Sequence, residues 1–459
     1  MTTAARSGIA GLAVLAITAV SPGAATVTAA GSPWSPAARM VQPHQAATAT
    51  LLANGKVLVV GSFPQSDAGA ELYDPAADSW SPTGSMIIPR AVGTATLLRS
   101  GRVLIAGGIT ADTGHSTTRT EIYDPATNSW SPAEGMAVQR SSHTAVLLSS
   151  GKVLVAGGQN ASGYIATAEL YDPVSNQWTM AAPMEAGYSG SRATLLANGT
   201  VLLAGGATFG DGRAELYDPA TNRWSNAGTA ARNTETMTRL ADGRVLITGQ
   251  GKEAQLYNVA TNHWSVAAAM LQDRVGPSAT GLADGRVLVA GGSTTIGGQQ
   301  VWLTSAEIYD PAANRWSPAG CMAQARWEQT ATLLSTRVLV AGGDVPPAAL
   351  SSAEMFDPAS ESAGRLIDFC PTASAGQSAV DTPSPAATTV ATPSGAPTGA
   401  ITQASVRPTG ELVRLTGVPG AGTLSVSRAT AVGVVAGALV LVALAVAFYL
   451  RARSRRRGI

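Results

Sequence analysis

The sequence predicts an all-β chain folded as a seven-bladed β-propeller, and three observations predict it. An apolar run closed by glycine recurs seven times, as VLVVGS from Val57, VLIAGG from Val103, VLVAGG from Val153, VLLAGG from Val201, VLITGQ from Val245, VLVAGG from Val287 and VLVAGG from Val338. A second element, usually AELYDP, also recurs seven times, starting at Ala70, Thr120, Ala168, Ala214, Ala254, Ala306 and Ala353. A tryptophan follows six of its copies, and the units repeat every 40–52 residues, the length of a propeller blade.

Each unit divides into four strand-length pieces. In the copy from His143, Thr144–Leu148 is apolar and β-branched, and a Ser150-Gly151 turn leads to Lys152–Ala156. The equivalent turns Asn54-Gly55, Asn198-Gly199, Asp242-Gly243 and Asp284-Gly285 carry the residues that two-residue hairpins require. The second strand is apolar throughout, as expected of one buried on both faces. AELY forms the third strand, DPVSN supplies turn residues, and Trp178 opens the fourth. Four antiparallel strands per unit, stacked around an axis, make a propeller.

The run of hydrophobic residues, double glycine, tyrosine and later tryptophan resembles the kelch repeat. The AELYDPATNxW wording is similar to the propeller of galactose oxidase-like proteins, over about Trp34 to Pro358. Gly61-Ser62 and Gly249-Gln250 depart from the double glycine, and Asn258-Val259 departs from Asp-Pro, so the copy around Val245–Trp264 is the least typical.

Closure of the ring is expected from the two ends. The tryptophan element around Trp34 has no strands before it, and the last copy has no tryptophan after it. Joining them completes one blade and removes two open sheet edges. The other way to close it uses Ser362–Phe369 as the last outer strand. In an exported chain the even cysteine count suggests a disulfide between Cys321 and Cys370. The resemblance implies a rival role, a cysteine crosslinked to tyrosine at a copper centre.

The flanks read as targeting segments. Residues 1–30 contain Arg6, an apolar run from Ile9 to Val20 and a small-residue exit, the layout of a secretory signal. The propeller is expected over 31–370. Residues 371–428 are rich in Pro, Thr, Ser, Ala and Gly and read as a disordered stalk. The 22 residues Ala429–Leu450 carry no charge and at ~1.5 Å per residue could cross a bilayer as one transmembrane helix. Five arginines in the basic tail 451–459 put that end in the cytoplasm and the propeller outside, as a single-pass type I protein of the plasma membrane.

Only 13% of residues are charged and the formal charge is +1, so no field favours nucleic acid. HExxH, GxSxG, P-loop and CxxC patterns are all missing from the sequence. The resemblance implies copper held by two histidines and two tyrosines. The four histidines here, His44, His115, His143 and His263, are scattered over strand starts, a long loop and a turn, so no cofactor or metal site is expected.

The candidate site is a position in the repeat. Four residues after the methionine that follows each tryptophan, or after Thr229 that replaces it in the fifth copy, stand His44, Arg90, Arg140, Tyr188, Asn233, Arg274 and Arg326. These are expected to ring the channel mouth and bind a carboxylate, an acidic peptide or an anionic sugar. The loops Ile109–Thr118 and Ser293–Leu303, with Trp302, would wall the same face. The structural reading pairs each arginine with a third-strand glutamate (Glu71, Glu121, Glu169, Glu215, Glu307, Glu354) across neighbouring blades. The function expected is an extracellular module binding a protein or glycan. The other reading is a carbohydrate-active or copper radical oxidase-like enzyme, implied by the resemblance alone.

Overall fold

A computed structural model of the chain describes residues 32–62, 69–206, 212–230, 234–360 and 370–374. The leader, the 429–450 span, the basic tail, Ser362–Phe369 and Asn233 lie outside these residues, as does the stalk beyond 374. Among the described residues no helix is long and apolar enough to cross a membrane.

The described residues form seven four-stranded antiparallel sheets. Thr144–Leu147, Val153–Ala156, Ala168–Asp172 and Gln177–Ala181 make a typical one, running from inner to outer edge. Each inner strand lies beside those of the two adjacent sheets, and Thr330–Leu333 returns to Thr48–Leu51, so the ring is closed around a central channel. Closure uses the two ends of the domain. Trp34–Ala37 pairs with Ala353–Phe356, with Trp34 opposite Phe356, and becomes the outer strand of the last sheet.

The apolar second strands are buried along their whole length because they sit in the wedges between sheets. One cluster fills each wedge; Leu154 and Ala168 of one sheet, for example, meet Val201, Leu203 and Tyr217 of the next. Fully burying each such side chain contributes ~1.5–3 kcal/mol, and the wedge has no solvent face where a polar residue could sit.

The repeat's aromatic residues join neighbours. Tyr171 stacks on Trp178 with ring centroids 5.0 Å apart, and its hydroxyl donates to Asn176 Oδ1 at 2.9 Å. Trp178 Nε1 donates to the carbonyl of Glu134 in the preceding sheet at 2.7 Å. Trp34 does the same to Ala319 at 2.8 Å, so the closing strand is tied down like any other.

The double glycine is required by close approach. A Cβ on Gly107 would lie 2.5 Å from the Arg140 carbonyl, and the following Gly108 N–H donates to that same oxygen at 2.9 Å. Both glycines have positive φ, 60° and 96°. The next sheet's incoming segment thus crosses directly over the end of the second strand.

Cys321 and Cys370 are joined in a disulfide. The chain just beyond does not start as a free stalk at 371. Thr372–Ser374 adds to Gln299–Leu303 as the third strand of a small sheet, because the disulfide holds it against an edge whose backbone groups lacked partners.

Candidate functional site

The segments that carry each outer strand into the next inner strand all lie on one face, and they place the sequence-selected residues away from solvent. Arg90, Arg140, Arg274 and Arg326 are buried, the last three completely. Arg140 Nη2 donates to Glu169 at 2.8 Å, and its Nη1 to the carbonyls of Gly157 and Thr167 at 2.7 and 3.0 Å. Arg90 pairs with Glu121, Arg274 with Glu307 and Arg326 with Glu354. His44 Nε2 lies 3.2 Å from Glu71, and the Tyr188 hydroxyl donates to Glu215 at 2.8 Å.

These residues therefore do not ring the channel mouth as free donors. Their polar atoms are spent on a latch, and the reason is local. Each glutamate also accepts main-chain N–H groups from the start of the incoming segment, as Glu169 does from Ala137 and Val138 at 2.6 and 3.2 Å. One carboxylate so fixes both ends of the segment. The pair closes within the repeat unit that the segment enters, not across neighbouring blades. Burial pulls the Arg140 guanidinium below its ordinary value and Glu169 opposes that. In the least typical sheet the glutamate is replaced by Gln255, whose Oε1 is buried without a partner.

Trp302 is also corrected. It is 5% exposed, packs with Ala325 and Val345, and sits opposite Ala373 in the strand paired with Thr372–Ser374, so it does not wall the channel face.

The channel mouth is formed by the residues just after the latch. A cavity of about 510 Å³ is lined by Ala46–Thr48, Val92 and Gly93, Ser142 and His143, Gly190–Arg192, Glu235, Val275–Pro277 and Trp327–Gln329, one group from each incoming segment. The chain turns into the inner strand here through left-handed residues, with φ of 51° at Ala46, 50° at Val92, 53° at Ser142 and 54° at Glu328. Sequence reasoning chose the right segment and the wrong residues by two or three positions. The missed signal was the change of residue type there: glycine and alanine on one side, Arg192, Glu235, Trp327 and Glu328 on the other.

On this lining the buried His143 Nδ1, Ser191 Oγ and Gln329 Oε1 are among the atoms without a partner in the described residues. Gln329 cannot turn to relieve its oxygen, because Nε2 donates to Ala290 O at 2.7 Å. His143 Nε2 lies 3.0 Å from Thr94 Oγ1, and burial with the nearby Arg140 charge pushes its pKa down to about 3, so it is neutral. Trp327 Nε1 also lacks a partner. Its indole lies where a Gly276 Cβ would be, 2.0 Å from Nε1, so only glycine fits opposite it.

Burial pushes the Glu235 and Glu328 carboxyls above the usual range, with Arg192 opposing in both. Behind them Asp344, buried and beside Glu328, is raised to about 7. Arg192 Nε donates to the main-chain oxygen of Glu235 at 2.9 Å.

A copper centre does not fit these donors. His44 is held by Gly61 O and Glu71, His115 and His263 are exposed on a loop and an outer strand, and Cys321 is bound to Cys370. Among the described residues no three His, Cys, Asp or Glu side chains converge to hold a metal.

Comparison with known proteins agrees with the fold. The kelch motif model matches residues 91–137, 140–185 and 276–323. Among solved structures, a fungal alcohol oxidase of the AA5 family in complex with copper is similar at 20% identity and a TM-score of 0.59, over 71% of this chain and 76% of that one. The structure of YjhT is similar at 16% identity and a TM-score of 0.48, over 69% of this chain and 95% of the other. No curated protein sequence matches. At 20% identity the likeness to the oxidase concerns the fold alone.

Proposed function

We propose that this kelch-repeat propeller is an extracellular binding module that takes a small, hydroxyl-rich ligand at its channel mouth. A seven-bladed ring serves as the rigid frame. The observation that carries the reading is a group of buried polar atoms without a partner among the described residues, His143 Nδ1, Ser191 Oγ and Gln329 Oε1, on three residues that line one cavity. Leaving such an atom unmade costs ~1–3 kcal/mol, and a ligand rich in hydroxyl groups supplies both donors and acceptors to them. A cavity of about 510 Å³ has room for one or two sugar rings.

The apolar leader and the uncharged stretch 429–450 support a place on the cell surface, with the stalk as spacer. A chain ending at residue 428 should appear in the medium; if it stays with the membrane, the anchoring reading is wrong.

A second reading, an enzyme acting on carbohydrate, draws on Glu235 and Glu328, two carboxyls raised by burial beside one cavity. The test of the binding reading is a glycan array with the full-length protein and its Ser191→Ala variant. The variant should keep its melting temperature and lose at least about tenfold in affinity for the glycans bound. Absence of glycan binding, or binding indifferent to Ser191, refutes it, and turnover of a bound glycan favours the second reading.

A further inference from the structure

We infer that Glu235 and Glu328 form a subsite for an ammonium group, so that the ligand of the channel mouth is an aminated sugar rather than a neutral or acidic one. This rests on the hydroxyl-rich ligand proposed above and specifies its charge.

The two carboxylates line the same cavity, and the charge on Glu235 is felt at Glu328. They are poorly provided for. Glu235 accepts a long 3.3 Å bond from the Gly276 N–H and one from the Gln250 side chain. No hydrogen bond or ion pair reaches the Glu328 carboxylate among the described residues. Arg192, the only cation on the lining among the described residues, gives its Nε to a main-chain oxygen and makes no ion pair with either carboxylate.

The latch glutamates set the standard within the same molecule. Glu169 has a guanidinium at 2.8 Å and two main-chain amides. Measured against that, the mouth has two carboxylates short of a cation, Glu235 half-buried and Glu328 exposed on the cavity. A ligand ammonium placed between them completes both, through charge-assisted bonds. An acidic sugar would add a third negative charge, opposed among the described residues by Arg192 alone. The hydroxyls of the same ligand would lie against His143, Ser191 and Gln329, cavity-lining residues more than nine-tenths buried, each with a polar atom that lacks a partner among the described residues.

The test is titration calorimetry of the full-length protein with a short glucosamine oligomer and its N-acetylated counterpart, which has the same hydroxyls and no charge. The amine should bind at least about tenfold more tightly, as one charge-assisted contact allows. Glu235→Gln and Glu328→Gln, checked for folding by thermal melts, should each remove most of that preference. Ser191→Ala should weaken both oligomers alike. Equal binding of the two oligomers, or tighter binding of a glucuronate-containing one, overturns the ammonium subsite and leaves the hydroxyl-rich ligand standing. If no oligomer of any charge binds, both fall together.

Discussion

Glu169 and Glu328 are both glutamates near the axis of one ring, yet their surroundings are opposite. Glu169 is completely buried with a guanidinium and two amides on it, whereas Glu328 opens on the cavity and its carboxylate has no hydrogen bond among the described residues. The same contrast separates the whole latch from the whole channel mouth, although the two lie only two or three residues apart on each incoming segment. Six latches repeat one solution, and their variants, histidine at 44 and tyrosine at 188, still bond the matching glutamate. The mouth repeats only its backbone turn and varies its side chains. Where a position must hold the ring together the chain repeats itself, and where it faces the channel it does not.

The largest effect that would break this contrast lies in the latch. Arg140→Ala leaves Glu169 buried without its cation and should cost about 3–5 kcal/mol in denaturant unfolding. A loss under ~1 kcal/mol would mean the latch is not structural. Gly107→Ala should cost ~2 kcal/mol or more, since its Cβ meets the Arg140 carbonyl and its φ of 60° is left-handed. Trp178→Phe, which removes one bond between adjacent sheets, should cost ~1 kcal/mol beyond any repacking.

At the mouth, pH separates two buried groups. His143 has a folded pKa of about 3, below its unfolded value, so its contribution is full near neutrality and is lost as pH falls from ~6.5 toward 3. Asp344, raised to about 7, acts in the opposite sense: it is protonated in the fold at pH 4, and stability drains away as pH rises from ~4 toward 7. Melting curves of Asp344→Asn should be flatter over that window than the parent's. The smallest effect sharpens the comparison most. Ser191→Ala should change stability by less than ~0.5 kcal/mol, because its hydroxyl bonds to nothing, while binding suffers.

The architecture was legible because its causes are local and repeated. Asn-Gly turns, four-residue apolar runs and the Tyr–Trp pair each state one piece of a sheet, and seven copies remove ambiguity. Even the closing strand could be read, because a tryptophan without a repeat stood at one end and a repeat without its tryptophan at the other. The site was less legible. Arginines recurring before the inner strand suggest a binding ring, but the repetition itself signified structure, and only the third-strand glutamate hinted at it. The burial of Trp302 and the strand Thr372–Ser374 could not be foreseen, because the pairing of that strand with Gln299–Leu303 belongs to no repeat and joins distant parts of the chain. Glu235 and Glu328 carried no pattern at all, since a residue used once leaves no period to detect.

The pairing of Trp34–Ala37 with Ala353–Phe356 has a consequence for the order of the chain. The first and last strands of the ring are already neighbours, so the break between them is a matter of chain order and not of where the ring needs an opening. A circular permutant that joins the two ends with a short linker, and opens instead at the Asn198-Gly199 hairpin, keeps every wedge filled. The same adjacency means that a trim at either end unzips one and the same sheet.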